Sequence, residues 1–282
     1  MKKINLTDKE LNDIKQIHLD YCKKYVKYKK LSLSDEDCRK LFIENPFDEN
    51  MNLKRGYGKF RRGKTKMNFI TKYESFRSPK AKKEPEWSGA KYIQALKINV
   101  CPYCGQQYFS IVKNKLGNYI AEATLDHYYD KSDYPFLALN LYNLIPVCKN
   151  CNSSFKLDKS EHIINPYIEA LDDSIYFKLN NLDISNYLNQ DNINVKILHT
   201  RAQNVINHLN ILELEKRYNY YQNIIKSTIY KRVRYNKNYI TQISNIINKP
   251  PEFIEASLIK QDLFSEDEPF LKLKSDIWGQ IQ

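Results

Sequence analysis

Apolar residues recur at helical spacing near the start of the chain. Leu11, Ile14, Ile17, Tyr21 and Tyr25 fall on one stripe of a 3.6-residue period and predict a core-facing helix. Thr7-Asp8-Lys9-Glu10 fits a capping box at its start, where side chains satisfy the first unpaired backbone N–H groups. Ser34 with Asp35, Glu36 and Asp37 opens a shorter helix through Leu41 and Phe42, and a third is predicted from about Ser88 to Leu96. The texture then changes. Gln107-Tyr108-Phe109-Ser110-Ile111-Val112 and Tyr119-Ile120-Ala121 read as strands around a turn at Leu116-Gly117-Asn118.

Short strands are also predicted at Ile175–Leu179 and Val195–Leu198. A long helical stretch follows from about Thr200 to Ile247, broken near Asn210 and stopped by Pro250-Pro251. Pro251 can open the next helix, because the first helical position needs no N–H. The expectation is an α+β protein, mainly helical, in three parts. A helical N-terminal region covers 1–99, a chemistry-bearing core covers 100–165, and a mainly helical C-terminal region covers 166–282. No repeat of solenoid period is evident.

The chain has 282 residues, 42% hydrophobic and 28% charged, which is ample for a buried core and argues against global disorder. No apolar run approaches the roughly 18 residues of a membrane helix. Met1-Lys2-Lys3-Ile4-Asn5 leads into polar sequence without the apolar stretch of a secretory signal. A cytoplasmic protein without a membrane partner is expected, and thiols there stay reduced. The six cysteines therefore point to metal before disulfides.

The net charge of +12 implies a polyanionic partner, nucleic acid before membrane. The excess is concentrated. Between Lys54 and Lys83 stand twelve basic residues, among them Arg55, Arg61, Arg62, Lys64 and Lys66, against the single acid Glu74. Gly56, Gly58 and Gly63 and the rings of Tyr57, Phe60 and Phe69 are interleaved. The segment 54–83 reads as a basic, partly irregular arm whose cations would meet phosphates and whose rings would stack on bases. A solvated loop without a ligand is the plainer alternative.

Cys101-Pro102-Tyr103-Cys104 and Cys148-Lys149-Asn150-Cys151 are two CxxC pairs. Together they supply four thiolates, enough to close a tetrahedral zinc site with no position left for water, so this zinc would be structural. A single pair would leave redox chemistry open; two favour zinc. Cys22 and Cys38 lie in predicted helices and read as small buried hydrophobes. Between the pairs, Asp126 and His127 end a predicted strand, where neighbours point to opposite faces. The carboxylate is suited to a hard cation and the imidazole to a proton. Asn143 precedes the second pair, Asn152 offers a carbonyl oxygen for Mg²⁺, and Lys156 stands one helical turn on. His18, His162, His199 and His208 lack such company and read as surface or packing residues.

The run CPYC … LDHYY … YNLIPVCKNCNSSFK resembles the HNH endonuclease family in its zinc-stapled form. The resemblance implies a ββα-metal finger: a first strand ending at His127, a loop over about 128–141, a second strand over about 143–147, and a helix starting near Lys149 or Asn150. It implies His127 as general base, Asp126 and Asn152 as ligands of a catalytic Mg²⁺ or Mn²⁺, Asn143 as the brace of the histidine loop, and Lys156 with the basic arm as nucleic-acid contacts. Many members have proline three residues after the histidine; this chain has Asp130. The implied activity is hydrolysis of phosphodiester bonds, in DNA before RNA. The helical flanks are similar to PtuB-like HNH subunits of Septu and retron anti-phage systems, which implies an ATPase partner and a defence role. Two other readings stand beside the enzyme: a non-catalytic, zinc-dependent nucleic-acid-binding module, and a partner-docking subunit.

Overall fold

A computed structural model describes residues 1–26, 31–61, 65–78, 85–115, 117–157, 159, 161–180, 193–260 and 268–281, and the backbone alone at 61 and 65–68. The protein is α+β and about half helical, with three two-stranded antiparallel sheets among the described residues.

The helix α1 spans Asp8–Val26, and Thr7 and Glu10 exchange side-chain-to-backbone hydrogen bonds at its start, Thr7 N to Glu10 Oε2 at 2.9 Å and Glu10 N to Thr7 Oγ1 at 3.3 Å. Its buried face is Ile14, His18, Leu19, Cys22 and Val26. Ile17 and Tyr25, expected in the core, are 45% and 41% exposed. The face is rotated because His18 and Cys22 occupy it. The Trp87 indole N–H donates to His18 Nδ1 at 3.1 Å, so Nε2 carries the ring proton and donates to Leu139 O at 2.7 Å. A histidine with both nitrogens paired packs like an aromatic residue.

The capping box of Ser34 and Asp37 starts α2, Asp35–Phe42, and Ser88 caps α4, Gly89–Ala95. Between them lies a difference from the sequence reading. Residues Tyr57–Arg61 form a short 3₁₀ turn and Thr65–Arg77 form a helix, α3, rather than an irregular arm. Phe69, Tyr73 and Phe76 repeat at helical spacing and are all buried, as are Tyr57 and Phe60. These rings form core and cannot stack on bases from where they lie.

The first hairpin pairs β1, Ile111–Lys113, with β2, Tyr119–Ala121, around Gly117 at φ +81°. The second pairs β3, Thr124–His127, with β4, Leu144–Val147, so that Asp126 faces Ile145 and His127 faces Leu144 across the ladder. Residues 128–143 connect the two strands through two 3₁₀ turns. After β4 comes a turn of π-helix, Cys151–Lys156, closed by Leu157 N to Asn152 O at 3.0 Å.

The third sheet pairs β5, Ile175–Leu179, with β6, Val195–His199. The helical stretch beyond it is four helices: α5 (Gln203–Ile211), α6 (Leu214–Tyr220), α7 (Gln222–Arg234) and α8 (Lys237–Ile247). The breaks fall at left-handed Glu213, at Tyr221 and at the Asn236 cap. Pro251 stands first in α9, Pro251–Ile259, and the tail forms α10, Leu271–Gln280. Among the described residues, no helix is long and apolar enough to cross a membrane.

Two hydrophobic cores meet at the second hairpin. One joins α1–α4 to Leu125, Phe136, Leu137 and Leu144; the other joins the four CxxC cysteines, Ile145 and Val147 to β5, β6 and the C-terminal helices.

Candidate metal centre and adjoining cleft

The turn after Cys101 brings the first pair together, with Gly105 N donating to Cys101 O at 2.8 Å. Gly105 has φ +61°, and a Cβ there would lie 3.0 Å from Met1 and 3.1 Å from the Tyr218 hydroxyl, so both its conformation and its packing call for glycine. The second pair follows β4 directly. All four sulfurs are buried and lie within 4.8 Å of one another. Cys104 Sγ and Cys148 Sγ are 3.9 Å apart. A tetrahedral zinc with Zn–S of about 2.3 Å requires sulfurs about 3.8 Å apart, so the cluster fits a metal such as zinc.

Backbone groups serve the same sulfurs: Cys148 N donates to Cys101 Sγ at 3.3 Å and Cys151 N to Cys148 Sγ at 3.5 Å. Burial pushes the Cys101 thiol well above its ordinary range, a conflict that a bound divalent cation removes by drawing the sulfurs into the thiolate form. Arg217, which sequence reasoning missed, donates to Cys151 Sγ at 3.5 Å and stacks over Phe155 at 4.5 Å. Burial works against its charge, but the Cys151 and Cys104 sulfurs raise its pKa overall. Nothing local in the sequence ties position 217 to position 151.

Asp126 lies beside this centre. Its Oδ2 accepts from the Tyr103 hydroxyl at 2.8 Å and its Oδ1 from Lys156 Nζ at 3.0 Å. Lys156 Nζ also donates to His127 O at 3.0 Å. Burial raises the Asp126 pKa; Lys156 and the Tyr103 hydrogen bond work against that without cancelling it. Lys156, expected to meet phosphate, is 4% exposed and committed to this pair.

His127 turns the other way, against the edge of the Tyr73 ring at 4.3 Å between centroids. Its Nε2 lies 3.1 Å from Ala138 O. A carbonyl only accepts, so Nε2 carries the proton and Nδ1 is the ring's free acceptor. Burial lowers the imidazole to about 4, and Lys131 and Lys156 act in the same direction, so the ring is neutral at pH 7.

Asn143 is fully buried and holds the connecting loop from inside. Its Oδ1 accepts from Tyr129 N at 2.7 Å, and its Nδ2 donates to Tyr129 O at 3.0 Å and Leu137 O at 3.2 Å. Asn140, unremarked in the sequence, ties the same loop to the end of α2 through Leu41 O and Glu44 O. Asn152 donates from Nδ2 to Thr124 Oγ1 at 3.1 Å. Asp130 accepts from Ser132 N at 2.6 Å; burial raises its pKa, and the Ser132 hydrogen bonds together with His127 and Lys156 outweigh that and lower it.

Asp126, His127, Asp130 and Asn152 line one cleft of about 330 Å³, with Tyr73, Glu74, Arg77 and Lys131 on its α3 side. Glu74 holds two cations there: Arg77 Nη2 at 2.7 Å and Lys131 Nζ at 3.0 Å. Tyr73, Glu74 and Arg77 were invisible in sequence because α3 reaches the cleft only through tertiary packing. The Asp126 carboxylate and the Asn152 amide oxygen suit a hard divalent cation.

Of the expected nucleic-acid contacts, Arg55 is exposed and lies outside this cleft's lining. The side chains of Arg61 and Lys66, and all of Arg62 and Lys64, lie outside the described residues. Lys59 pairs with Asp37 at 2.5 Å. His208, expected as surface or packing, is buried and packs: it accepts from Ile164 N at 3.3 Å and donates to Tyr103 O at 2.8 Å. Cys22 and Cys38 are free and buried.

No protein-family profile, curated protein or solved structure matches the chain.

Proposed function

We propose that the protein is a metal-dependent endonuclease of the HNH type, with a four-cysteine zinc centre as structural staple and a ββα-metal finger made of β3, the connecting loop, β4 and the turn after it. The observation that carries the reading is the convergence of Asp126, His127 and Asn152 on one cleft while Asn143 braces the loop between the strands. The substrate would be the phosphodiester backbone of nucleic acid, DNA before RNA. Water attacks phosphorus and the bond to the 3′ oxygen breaks. His127 Nδ1, unprotonated at neutral pH, takes the proton from that water. The Ala138 carbonyl fixes the tautomer that leaves Nδ1 free. Asp126 and Asn152 would hold Mg²⁺ or Mn²⁺, which supplies charge stabilisation at the departing oxygen. Arg77 and Lys131, which line the cleft and pair with Glu74, would turn to the flanking phosphates.

The test is cleavage of plasmid, linear duplex, single-stranded DNA and RNA with Mg²⁺ or Mn²⁺, beside His127→Ala. Cutting by wild type, lowered about 10²–10⁴-fold or more in the variant, is expected from loss of a general base. Undiminished cutting by His127→Ala removes the residue from the chemistry.

The Lys156–Asp126 pair supports a second reading, since a carboxylate already neutralised suits a zinc-dependent binding module or a subunit that waits for a partner. The exposed Tyr220 and Ile246 on the C-terminal helices would then belong to a docking face, with an ATPase of a bacterial defence system as the kind of partner the flanks suggest. Binding of nucleic acid without cutting, and cutting restored by a co-purified partner, would favour it.

A further inference from the structure

Among the described residues, Lys156 is the one buried lysine. Burial of an ammonium is unfavourable unless its protons are satisfied, and two of the three are: one on Asp126 Oδ1 at 3.0 Å and one on His127 O at 3.0 Å. The other carboxylate oxygen, Oδ2, accepts from the Tyr103 hydroxyl at 2.8 Å. Each oxygen of Asp126 thus already has a partner from the protein, and one of those partners is a cation.

We propose that Lys156 is a resident cation at Asp126, one that a divalent ion must displace or crowd aside when it binds there. The inference rests on the reading of Asp126 and Asn152 as divalent-metal ligands. An ion about 2.1 Å from Oδ1 would stand only about 4–5 Å from an ammonium that stays in place, a like-charge contact inside a poorly screened pocket. If the ammonium leaves instead, it gives up two hydrogen bonds. Either route weakens metal binding, so the protein as built binds the ion less tightly than the donor set alone would allow. The same ammonium keeps the Asp126 carboxylate compensated while no ion is bound, which makes Lys156 a brake on metal loading as well as a support for the resting fold. Once displaced, it would need another anion, and the Asp130 carboxylate in the same cleft or a phosphodiester bound there would serve.

The experiment is titration of zinc-loaded protein with Mn²⁺, reading free Mn²⁺ by electron paramagnetic resonance, for wild type, Lys156→Met, Lys156→Arg and Asp126→Asn. Lys156→Met should bind Mn²⁺ about tenfold more tightly or better, Lys156→Arg should resemble wild type because the charge remains, and Asp126→Asn should lose the site. Unchanged or weaker binding by Lys156→Met overturns the inference while leaving the ligand assignment standing. Tightening by Lys156→Arg equal to that by Lys156→Met also overturns it, since charge would not be the cause. Absence of Mn²⁺ binding in wild type and Lys156→Met alike, or binding that survives Asp126→Asn, overturns the ligand assignment and the inference with it. Lys156→Met leaves Asp126 without its cation and can lower stability, so a melting series gives a second reading. Mn²⁺ should raise the Tm of this variant more than that of wild type, and equal shifts count against the proposal.

Discussion

The Tyr103 hydroxyl donates to Asp126 Oδ2 at 2.8 Å from within the first CxxC turn. One ring therefore joins the four-cysteine centre to the carboxylate of the cleft, and His208 fixes the same residue from behind by donating to its carbonyl. Tyr103→Phe removes one buried donor and keeps the packing. It should cost about 1–3 kcal/mol of stability, because Asp126 loses a buried hydrogen bond. Zinc content should stay at wild-type level. Urea unfolding with metal analysis checks both, and loss of the metal would show that the ring supports the cysteines rather than the carboxylate.

Cys104→Ser should behave differently. A site built from four buried sulfurs gains much of its folding free energy from the ion, and a serine oxygen is a poor substitute. The variant should lose its zinc and melt at a markedly lower temperature, with a chelator producing the same change in wild type. Native mass spectrometry and a melting curve decide it; a Cys104→Ser protein with full zinc and an unchanged Tm would mean that the cluster does not hold the ion.

Asn143→Ala removes three side-chain hydrogen bonds from inside the loop, those to Tyr129 N, Tyr129 O and Leu137 O, although Leu137 O keeps the Asn140 N–H at 3.0 Å. A loss of about 2–4 kcal/mol is expected from three buried hydrogen bonds removed together. Amide exchange should quicken in residues 128–143 before it does in β5 and β6. Uniform quickening across the chain would speak against a local brace.

Three histidines make stability fall in acid. Burial holds His18, His127 and His208 at about 4 against an ordinary 6.5. Between those values the unfolded chain takes up protons that the folded one excludes. Their contribution is complete above about pH 6.5 and is lost as the pH drops toward 4, up to about 3 kcal/mol for each. Urea unfolding of zinc-loaded protein at pH 7.5 and 4.5 measures it. Zinc release followed in the same samples keeps protonation of the cysteines from being counted as protonation of histidine. Equal unfolding free energies at both values would rule out neutral burial of these rings.

Local rules were legible wherever the signal was local. The Thr7 and Ser34 caps, the Pro251 start, and β5 and β6 follow from residues within a few positions of one another. The phase of α1 did not, because His18 and Cys22 reach the core through partners 69 and 121 residues away for the histidine. The basic run hid α3: its charge was easier to read than the Phe69, Tyr73 and Phe76 spacing beneath it. At the cleft, Asp126, His127 and Asn152 were found as a group, whereas Arg77 and Arg217 arrive from distant elements, and Lys131 and Asn140, though in the loop between the strands, show their roles only through partners on α3 and at the end of α2. Lys156 was noticed for its charge, but nothing near it in sequence indicated that the charge would be spent on Asp126.

The second hairpin divides its side chains between two cores, Leu125 and Leu144 on one side and Ile145 and Val147 on the other. Anyone seeking a minimal unit for transplantation would be drawn to residues 100–165, since they hold both cysteine pairs and the cleft's β-strands. Excised, that piece would carry two raw greasy surfaces and would lack Tyr73, Arg217 and His208. What looks like a cassette in the sequence is a keystone, packed into a core on either side.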